Sequence, residues 1–255
     1  MTKYVRYRTD STSSSYGILE GETVREIRGD LFGSHAPTGA TRPLSAVNLL
    51  YPCQPGKILA VGLNYKSHVG TRPMPTHPEI FYKPVSALQD PGVPIVLPRD
   101  STDVHYEGEL VIVIGKPARN ASKEQARAAI FGVTCGNDVS ERNWQAGEGK
   151  DLQWWRAKGS DTFAPLGPAI AADIDYGNLL LQTRLNGEVV QKQFTSDLIF
   201  DCPTIVSWIS GWVTLVPGDV IYTGTPGSTR RMSAGDTVEV EIDQIGTLRN
   251  PVAAL

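Results

Sequence analysis

The sequence lacks the features that would assign it to a membrane or to nucleic acid. No stretch of its 255 residues approaches the roughly 18 consecutive apolar residues of a membrane span, and its first ten residues lack the apolar run of a signal peptide. Lys and Arg number 24 against 27 Asp and Glu, without a basic block that could neutralise a row of phosphates. We therefore expect a cytoplasmic protein that binds neither membranes nor nucleic acid.

Cysteine is also scarce. Cys53, Cys135 and Cys202 are odd in number and widely spaced, and they form no CxxC pair. This pattern argues against a disulfide framework and against a thiolate zinc site. We predict reduced thiols in or near the core.

What the sequence does contain is a series of short apolar runs. They read ILAVGL, EIFYKP, PIVL, ELVIVIG, IFGVTCG, DVIYTG and TVEVEI, and each is limited by Gly, Pro or Asp. Such runs are typical of buried strands. Hydrophobic residues make up 40% and charged residues 20%, as in a globular protein. The length fits one main domain with a smaller appendage.

Helices are fewer than strands. A capping box that begins at Ser122 predicts one helix. A second is expected after Pro203, where Ile205, Ile209 and Trp212 can line one face. Strands and helices do not alternate regularly, which disfavours a Rossmann arrangement or a β/α barrel. We predict a β-rich α+β fold with a few helices.

The first fifty residues form a separate unit in this interpretation. Tyr, Val, Ile and Arg alternate over residues 3–8 and 16–28, which predicts a small β-meander. The stretch SHAPTGATRP that follows has the composition of a linker. We predict a small N-terminal β-domain and linker over residues 1–50 and the main domain over residues 51–255.

The segment DVHYEGELVIVIG holds two carboxylates on one strand. Alternate side chains of a strand share a face, so Glu107 and Glu109 lie side by side. Taken alone, such a pair is more often a solvated face. Residues 110–114 are apolar, however, and a buried carboxylate pair is unfavourable unless a proton or a cation compensates it. A hard cation such as Mg²⁺, with positions left open for a chelating substrate, is the natural remedy.

A third carboxylate lies further along the chain. Asp138 directly follows the apolar run IFGVTCG and precedes a polar segment. Catalytic residues are commonly displayed at such strand ends. Asp138 is therefore the candidate third ligand.

Seven segments in one order resemble the fumarylacetoacetate hydrolase family. They are GLNYKSH, FYKP, HYEGELVIVIGK, GNDVSERNWQ, AKGSDTFAPLGP, LNGEVVQ and GDVIYTGTPGS, over residues 57 to about 243. The resemblance implies the C-terminal-like mixed β-roll of that family in the main, catalytic domain, and a homodimer. It implies that Glu107, Glu109 and Asp138 bind Mg²⁺ or Mn²⁺. The first 50 residues fit the small N-terminal β-domain of some members.

The resemblance also implies roles for polar residues of the later motifs. Lys158 matches a lysine that approaches the metal and the substrate oxygens, and Arg142 and Gln145 match substrate contacts. Thr225 resembles a position that contacts the substrate carboxylate. Without the resemblance, Lys158 would be interpreted as a surface lysine, Arg142 as a member of an ion pair on a helix surface, and Thr225 as a turn threonine. We interpret Lys83 of FYKP as structural.

His68 matches the histidine of a lid segment, here about Lys66 to Pro78. In hydrolytic members this histidine activates water together with a glutamate that often stands three residues later. This chain has Thr71 at that position. Glu79, eleven residues after His68, is the candidate substitute.

These residues predict an enzyme that acts on a small oxo-acid. The expected reaction is carbon-carbon bond hydrolysis of an acylpyruvate or a related dioxo-acid. One alternative is a decarboxylase or isomerase of oxaloacetate or hydroxymuconate-type diacids in aromatic catabolism. An alternative of another class is a non-catalytic small-acid binding module.

Overall fold

The computed structural model describes residues 1–10 and 13–255, and strands dominate them. The strands are β1 Thr2–Arg8, β2 Ser15–Glu20, β3 Thr23–Gly29, β4 His35–Pro43, β5 Asn48–Leu50, β6 Ile58–Gly62, β7 Glu79–Lys83, β8 Leu88–Gln89, β9 Ile95–Leu97, β10 Val104–His105, β11 Gly108–Ile114, β12 Ile130–Asn137, β13 Ser140–Glu141, β14 Ala164–Ala172, β15 Leu180–Leu185, β16 Glu188–Phe194, β17 Val220–Tyr222, β18 Thr237–Ile242 and β19 Gly246–Ala254. The α-helices are α1 Lys66–Val69, α2 Lys123–Ala129, α3 Arg142–Ala146, α4 Trp155–Gly159 and α5 Cys202–Ser210. The predicted β-rich fold with a few helices is confirmed.

A large mixed sheet runs through the molecule in the order β4-β3-β2-β1-β14-β12-β11-β17-β6-β7. Strand β11 lies inside it, antiparallel to both β12 and β17. Every residue of β11 is buried, because both faces of the sheet are covered. Burying a Leu or Ile side chain contributes about 1.5–3 kcal/mol. The strand that carries Glu109 and directly follows Glu107 is thus held in the core.

A second sheet, ordered β16-β15-β18-β19-β9, packs against the large one. The main core lies where Leu110 and Ile112 of β11 meet Val240 and Ile242 of β18. Helices α2 and α5 cover another part of the same cluster. The core therefore fixes β11 against β15 and β18.

Both predicted helices are present, with one error. The Ser122 side chain accepts a hydrogen bond from the Gln125 amide and closes the predicted capping box. Ile205 and Ile209 of α5 are buried as predicted. Trp212, however, lies beyond the end of α5 and is 68% exposed. The prediction that Trp212 lines the helix face is wrong, because α5 ends at Ser210 and the chain turns there.

The predicted N-terminal meander is confirmed as β1, β2 and β3, but the predicted linker is wrong. Residues 35–43 form β4, which pairs antiparallel with β3. A strand at the edge of a sheet needs no second hydrogen-bonding partner, and so it tolerates the prolines and small polar residues that suggested a linker. Strand β1 pairs in turn with β14. The division into two domains at residue 50 stays a prediction.

The three cysteines are buried and form no disulfide, as predicted. Burial raises the pKa of the Cys53 and Cys202 thiols to about 12, which keeps them protonated and unreactive at neutral pH. In the part of the chain that the structure describes, no helix has the length and apolar character needed to cross a bilayer.

Candidate metal centre and active site

The acidic residues predicted from the sequence come together at the start of β11. Glu107 and Glu109 flank Gly108, and Gly108 pairs with Asn137, the residue before Asp138. The Asp138 amide donates to the Glu107 carbonyl at 2.9 Å. One carboxylate oxygen from each of the three acids lies within 4.8 Å of the others, and all three residues are buried. Adjacent strands thus bring Asp138 into one cluster with two glutamates that are distant from it in the sequence.

The glycine between the two glutamates is favoured by packing. A Cβ atom at Gly108 would lie 2.0 Å from the Oγ1 of Thr183 on β15. A larger residue fits only if the Thr183 side chain or β15 moves. Glycine at this position lets the second sheet approach β11 closely.

Three cations are hydrogen-bonded to these acids. Lys158 Nζ lies 2.6 Å from Glu107 Oε2 and 2.5 Å from Asp138 Oδ2. Lys83 Nζ lies 2.5 Å from Asp138 Oδ1, and Arg142 Nη2 lies 2.5 Å from Glu107 Oε1. The charges of Glu107 and Asp138 are therefore compensated directly, whereas Glu109 accepts from the Gly224 amide at 2.7 Å.

The pKa values of Glu107 and Glu109 reflect this difference in charge compensation. Burial acts to raise the pKa of Glu107, but Lys158 and Arg142 outweigh it and hold that pKa below its usual range. Burial and the neighbouring charges of Asp138 and Glu107 raise the pKa of Glu109 well above its usual range. Ionised Glu109 therefore needs a further positive charge.

The acidic cluster fits a divalent metal ion. Its donors are all carboxylate oxygens, which is the ligand type of Mg²⁺ and Mn²⁺. Its buried like charges repel one another, as the raised pKa of Glu109 indicates. Glu107, Glu109 and Asp138 could therefore hold such an ion. The identity of the metal stays a prediction.

Lys83 is the part of this cluster that the sequence did not predict to act there. It is 2% exposed, and besides Asp138 its ammonium donates to the Lys158 carbonyl. Burial lowers the pKa of Lys83, against the opposing pull of Asp138. In the sequence, the feature that marks Lys83 is its position at the end of a strand, next to a proline. The contact between its side chain and Asp138 follows from the order of the strands in the sheet, which could not be predicted from the sequence.

Lys83→Met should destabilise the protein by about 3 kcal/mol, because it leaves a buried carboxylate without one of its cations. Urea unfolding at neutral pH, read by tryptophan fluorescence, measures the loss. Lys123→Met is the matched control, because it breaks a half-exposed pair with Asp201. The control should change stability by less than about 1 kcal/mol. Equal effects of the two variants would contradict the assignment of Lys83 to the cluster.

A cavity of about 830 Å³ opens onto the cluster, and Glu107, Glu109 and Lys158 line it together with His68. His68 Nδ1 lies 2.6 Å from the Gly227 carbonyl. A carbonyl only accepts, so Nδ1 carries the proton and Nε2 of the neutral ring is left as a base. His68 makes no second side-chain hydrogen bond with a described residue.

A second histidine that the sequence analysis missed also lines this cavity. His105 Nε2 lies 2.9 Å from Asp103 Oδ1, and its Nδ1 lies 2.9 Å from Thr229 Oγ1. Thr229 Oγ1 in turn accepts from Arg142 Nη2 at 2.7 Å. Both nitrogens of His105 are thus engaged by protein groups. In the sequence, the feature that could have identified His105 is its position two residues before Glu107.

The predicted substrate contacts lie in the cavity, but all three have protein partners. Arg142 binds Glu107, and its Nη1 donates to Gln145 Oε1 at 2.7 Å. The Thr225 hydroxyl donates to the Gly108 carbonyl at 2.9 Å and accepts from Gln191. Its single proton is therefore used within the protein. Their roles toward a substrate stay predictions.

Glu79 is not brought into the cavity. It begins β7, its side chain is 56% exposed, and its carboxylate lies 3.6 Å from His77 Nδ1. It does not belong to the residues that line the cavity beside His68. The structure gives His68 no carboxylate partner among the described residues outside the acidic cluster, and the catalytic role of Glu79 stays a prediction.

The fold and this cluster define a β-roll protein with a small-molecule cavity next to a candidate metal centre. Residues 57–253 match the family model of the fumarylacetoacetate hydrolase C-terminal domain, and residues 2–52 match an Rv2993c-like N-terminal model. The chain belongs to the fumarylacetoacetate hydrolase family.

Its relatives differ in their named activities. Protein Rv2993c of Mycobacterium tuberculosis is 47% identical, with 93% of each chain covered. Oxaloacetate tautomerase fahd2, mitochondrial, of Xenopus laevis is 41% identical, with 82% of this chain and 69% of the relative covered. The family resemblance inferred from the sequence is confirmed, whereas the specific reaction is not set by family membership.

Two solved structures extend the comparison. The crystal structure of 2-hydroxyhepta-2,4-diene-1,7-dioate isomerase from Mycobacterium marinum has a TM-score of 0.91 at 44% identity, with 100% of this chain and 99% of that chain covered. Maleylpyruvate hydrolase from Sphingobium sp. SYK-6, in complex with manganese(II) ion and pyruvate, has a TM-score of 0.80 at 29% identity, with 99% of each chain covered. Both confirm the predicted fold.

Proposed function

We propose that this protein transfers a proton within a small 2-oxo acid, as a keto-enol tautomerase or a double-bond isomerase. One observation carries the proposal. His68 has its Nδ1 bound to the Gly227 carbonyl, and outside the acidic cluster no carboxylate of the described residues stands beside it to support the activation of water. A single base that takes a proton and returns it to another atom of the same substrate completes an isomerisation without water.

The acidic cluster supplies the other half of the site. Glu107, Glu109 and Asp138 would hold a divalent ion, either Mg²⁺ or Mn²⁺, and that ion would stabilise negative charge on the substrate oxygens. Lys158 donates to Glu107 and Asp138 and adds a fixed positive charge at the cavity wall. Burial opposes the charge of Lys158, but Asp138 and Glu107 raise its pKa, so that the ammonium persists.

The similarity to an oxaloacetate tautomerase and to a hydroxyheptadienedioate isomerase supports this reaction class. Carbon-carbon hydrolysis, the reaction predicted from the sequence, is the second candidate, and the similarity to a maleylpyruvate hydrolase favours it. A place in aromatic catabolism, a cytoplasmic location and a homodimer stay predictions.

Product analysis separates these possibilities. With Mg²⁺ or Mn²⁺ in D₂O, we expect the protein to speed keto-enol exchange of oxaloacetate or isomerisation of a hydroxymuconate-type diacid, followed by NMR. Cleavage products from an acylpyruvate would instead favour the hydrolase, and loss of CO₂ from oxaloacetate the decarboxylase. Binding of these acids without any product would favour a non-catalytic binding module.

Thr71→Glu is the complementary variant. It adds a carboxylate to the segment that carries His68, where it can support the imidazolium during water activation. We expect hydrolysis of an acylpyruvate to appear or rise in this variant, measured by release of pyruvate. Thr71→Gln is the control for the charge. An equal gain in both variants, or in neither, would contradict the idea that a missing carboxylate limits hydrolysis.

The predicted lid, about Lys66 to Pro78, borders the cavity through Ser67, His68 and Arg72. Ser67 Oγ accepts from the Gly227 amide at 2.9 Å, and at the other end the His77 ring stacks on Trp208. We expect amide hydrogen exchange in this segment to slow when an oxo-acid and a divalent metal bind. Residues 237–254 serve as the internal control. Equal exchange in the segment with and without ligand would contradict a lid.

A further inference from the structure

Arg72 is a cation in the cavity that the acidic cluster does not use. It follows α1, where its amide donates to the Val69 carbonyl at 3.3 Å, and it lines the same cavity as Glu107 and Glu109. It is exposed. Its guanidinium makes no hydrogen bond or ion pair with another described residue.

The other cations that line the cavity are already paired with carboxylates. Arg142 and Lys158 donate to Glu107, and Lys158 also donates to Asp138. With the buried Lys83, they balance the three carboxylates of the cluster one for one. A divalent ion at the cluster and the guanidinium of Arg72 would then leave the cavity with a surplus of positive charge. That surplus, formally three positive charges, favours a ligand with two negative charges over a ligand with one.

We propose that Arg72 binds the distal carboxylate of the substrate, and that the substrate is therefore a dicarboxylic 2-oxo acid. The proposal rests on the proposed function, since it takes the 2-oxo acid end to lie at the acidic cluster. The planar fork of an arginine makes two parallel hydrogen bonds to a carboxylate. A cavity of about 830 Å³ has room for a small diacid between the cluster and Arg72.

This assignment predicts how the protein selects among oxo-acids. An acylpyruvate with an apolar tail offers nothing to Arg72 and leaves the guanidinium in water. A diacid gains one charge-assisted pair at the same position. Because the side chain is exposed, we expect a gain near the lower end for such pairs, about 10-fold in affinity.

The test uses pairs of acids that differ only in the distal carboxylate. Oxaloacetate is compared with 2-oxobutanoate, 2-oxoglutarate with 2-oxopentanoate, and 2-oxoadipate with 2-oxohexanoate, each by calorimetric titration of the Mg²⁺-loaded protein. For at least one pair, the diacid should bind about 10-fold more tightly. Arg72→Gln should abolish that preference without weakening the monoacid, and Arg72→Lys should keep part of it. Arg99→Gln, which changes an exposed loop arginine outside the cavity lining, should keep all of it.

The outcomes separate this inference from the proposed reaction. A preference for diacids that Arg72→Gln leaves intact, or no preference in any pair, overturns the role of Arg72 whatever the products are. An Arg72-dependent preference in a protein that shows only hydrolysis products upholds the subsite and rejects the tautomerase. Equal loss of monoacid and diacid binding in Arg72→Gln would indicate a purely structural role and would also overturn the proposal.

Discussion

His68→Ala is expected to lower turnover of the preferred oxo-acid by about 10²- to 10⁴-fold, the usual contribution of a positioned base. The bond from its Nδ1 to the Gly227 carbonyl leaves Nε2 as the acceptor of a proton in the cavity. Alanine removes that acceptor and keeps the acidic cluster intact. Initial rates at saturating metal measure the effect, and titration with Mn²⁺ should show little change in metal affinity.

His77→Ala is the matched control for this variant. His77 lies in the same segment but outside the residues that line the cavity, where it stacks on Trp208. The turnover rate of His77→Ala should lie within a few-fold of the wild-type rate. If His68→Ala removes hydrolysis or isomerisation but spares decarboxylation of oxaloacetate, the histidine serves proton transfer and the metal centre alone suffices for loss of CO₂. Unchanged rates on every substrate would reject a catalytic role for His68.

Glu109→Gln is expected to abolish metal-dependent activity while leaving the metal-free protein at least as stable as before. Burial and the charges of Asp138 and Glu107 raise the pKa of Glu109, so its ionisation is less favourable in the folded chain than in the unfolded one. At neutral pH, above the unfolded pKa, the ionised carboxylate therefore lowers the stability of the metal-free fold. An amide removes this penalty and can still accept from the Gly224 amide.

Thermal unfolding with and without metal tests the prediction. Mg²⁺ or Mn²⁺ should raise the melting temperature of the unchanged protein, since a ligand of the folded state stabilises it. In Glu109→Gln, metal affinity should fall by at least roughly 10- to 100-fold. That is the usual loss when a residue that hydrogen-bonds to a metal ligand is replaced, and Glu109 is itself a predicted ligand. Glu188→Gln, at an exposed pair with Arg230, should behave as the unchanged protein. A full thermal response to metal in Glu109→Gln would overturn the predicted ligand set.

A chelator should abolish turnover of the unchanged protein for the same reason, and added Mg²⁺ or Mn²⁺ should restore it. Activity that persists after exhaustive chelation and dialysis would contradict a catalytic role for the metal centre.

Part of the candidate site was readable from the residues alone. The alternation of Glu107 and Glu109 before five apolar residues indicated a buried pair, and the end of the next apolar run made Asp138 a candidate. Both follow from the two-residue period of strands, which is a local property. The helix cap at Ser122 is local in the same way. The family resemblance was needed to assign the three acids to one metal site. The sequence favoured hydrolysis because His68 is present, but it could not decide between the reactions, because they share the acidic cluster and differ in whether His68 has a carboxylate partner.

The sequence by itself determined many of the buried strands, including the one that carries Glu109, and the acids that stand at their ends. Only the tertiary structure decided the partners that come from distant strands. It placed the Lys83 ammonium on Asp138, committed the Thr225 hydroxyl to Gly108, left Glu79 outside the cavity, and turned the apparent linker at 35–43 into an edge strand. The physical reason is that periodicity fixes the direction of a side chain relative to its own strand, whereas the order of strands in the sheets fixes what that side chain meets.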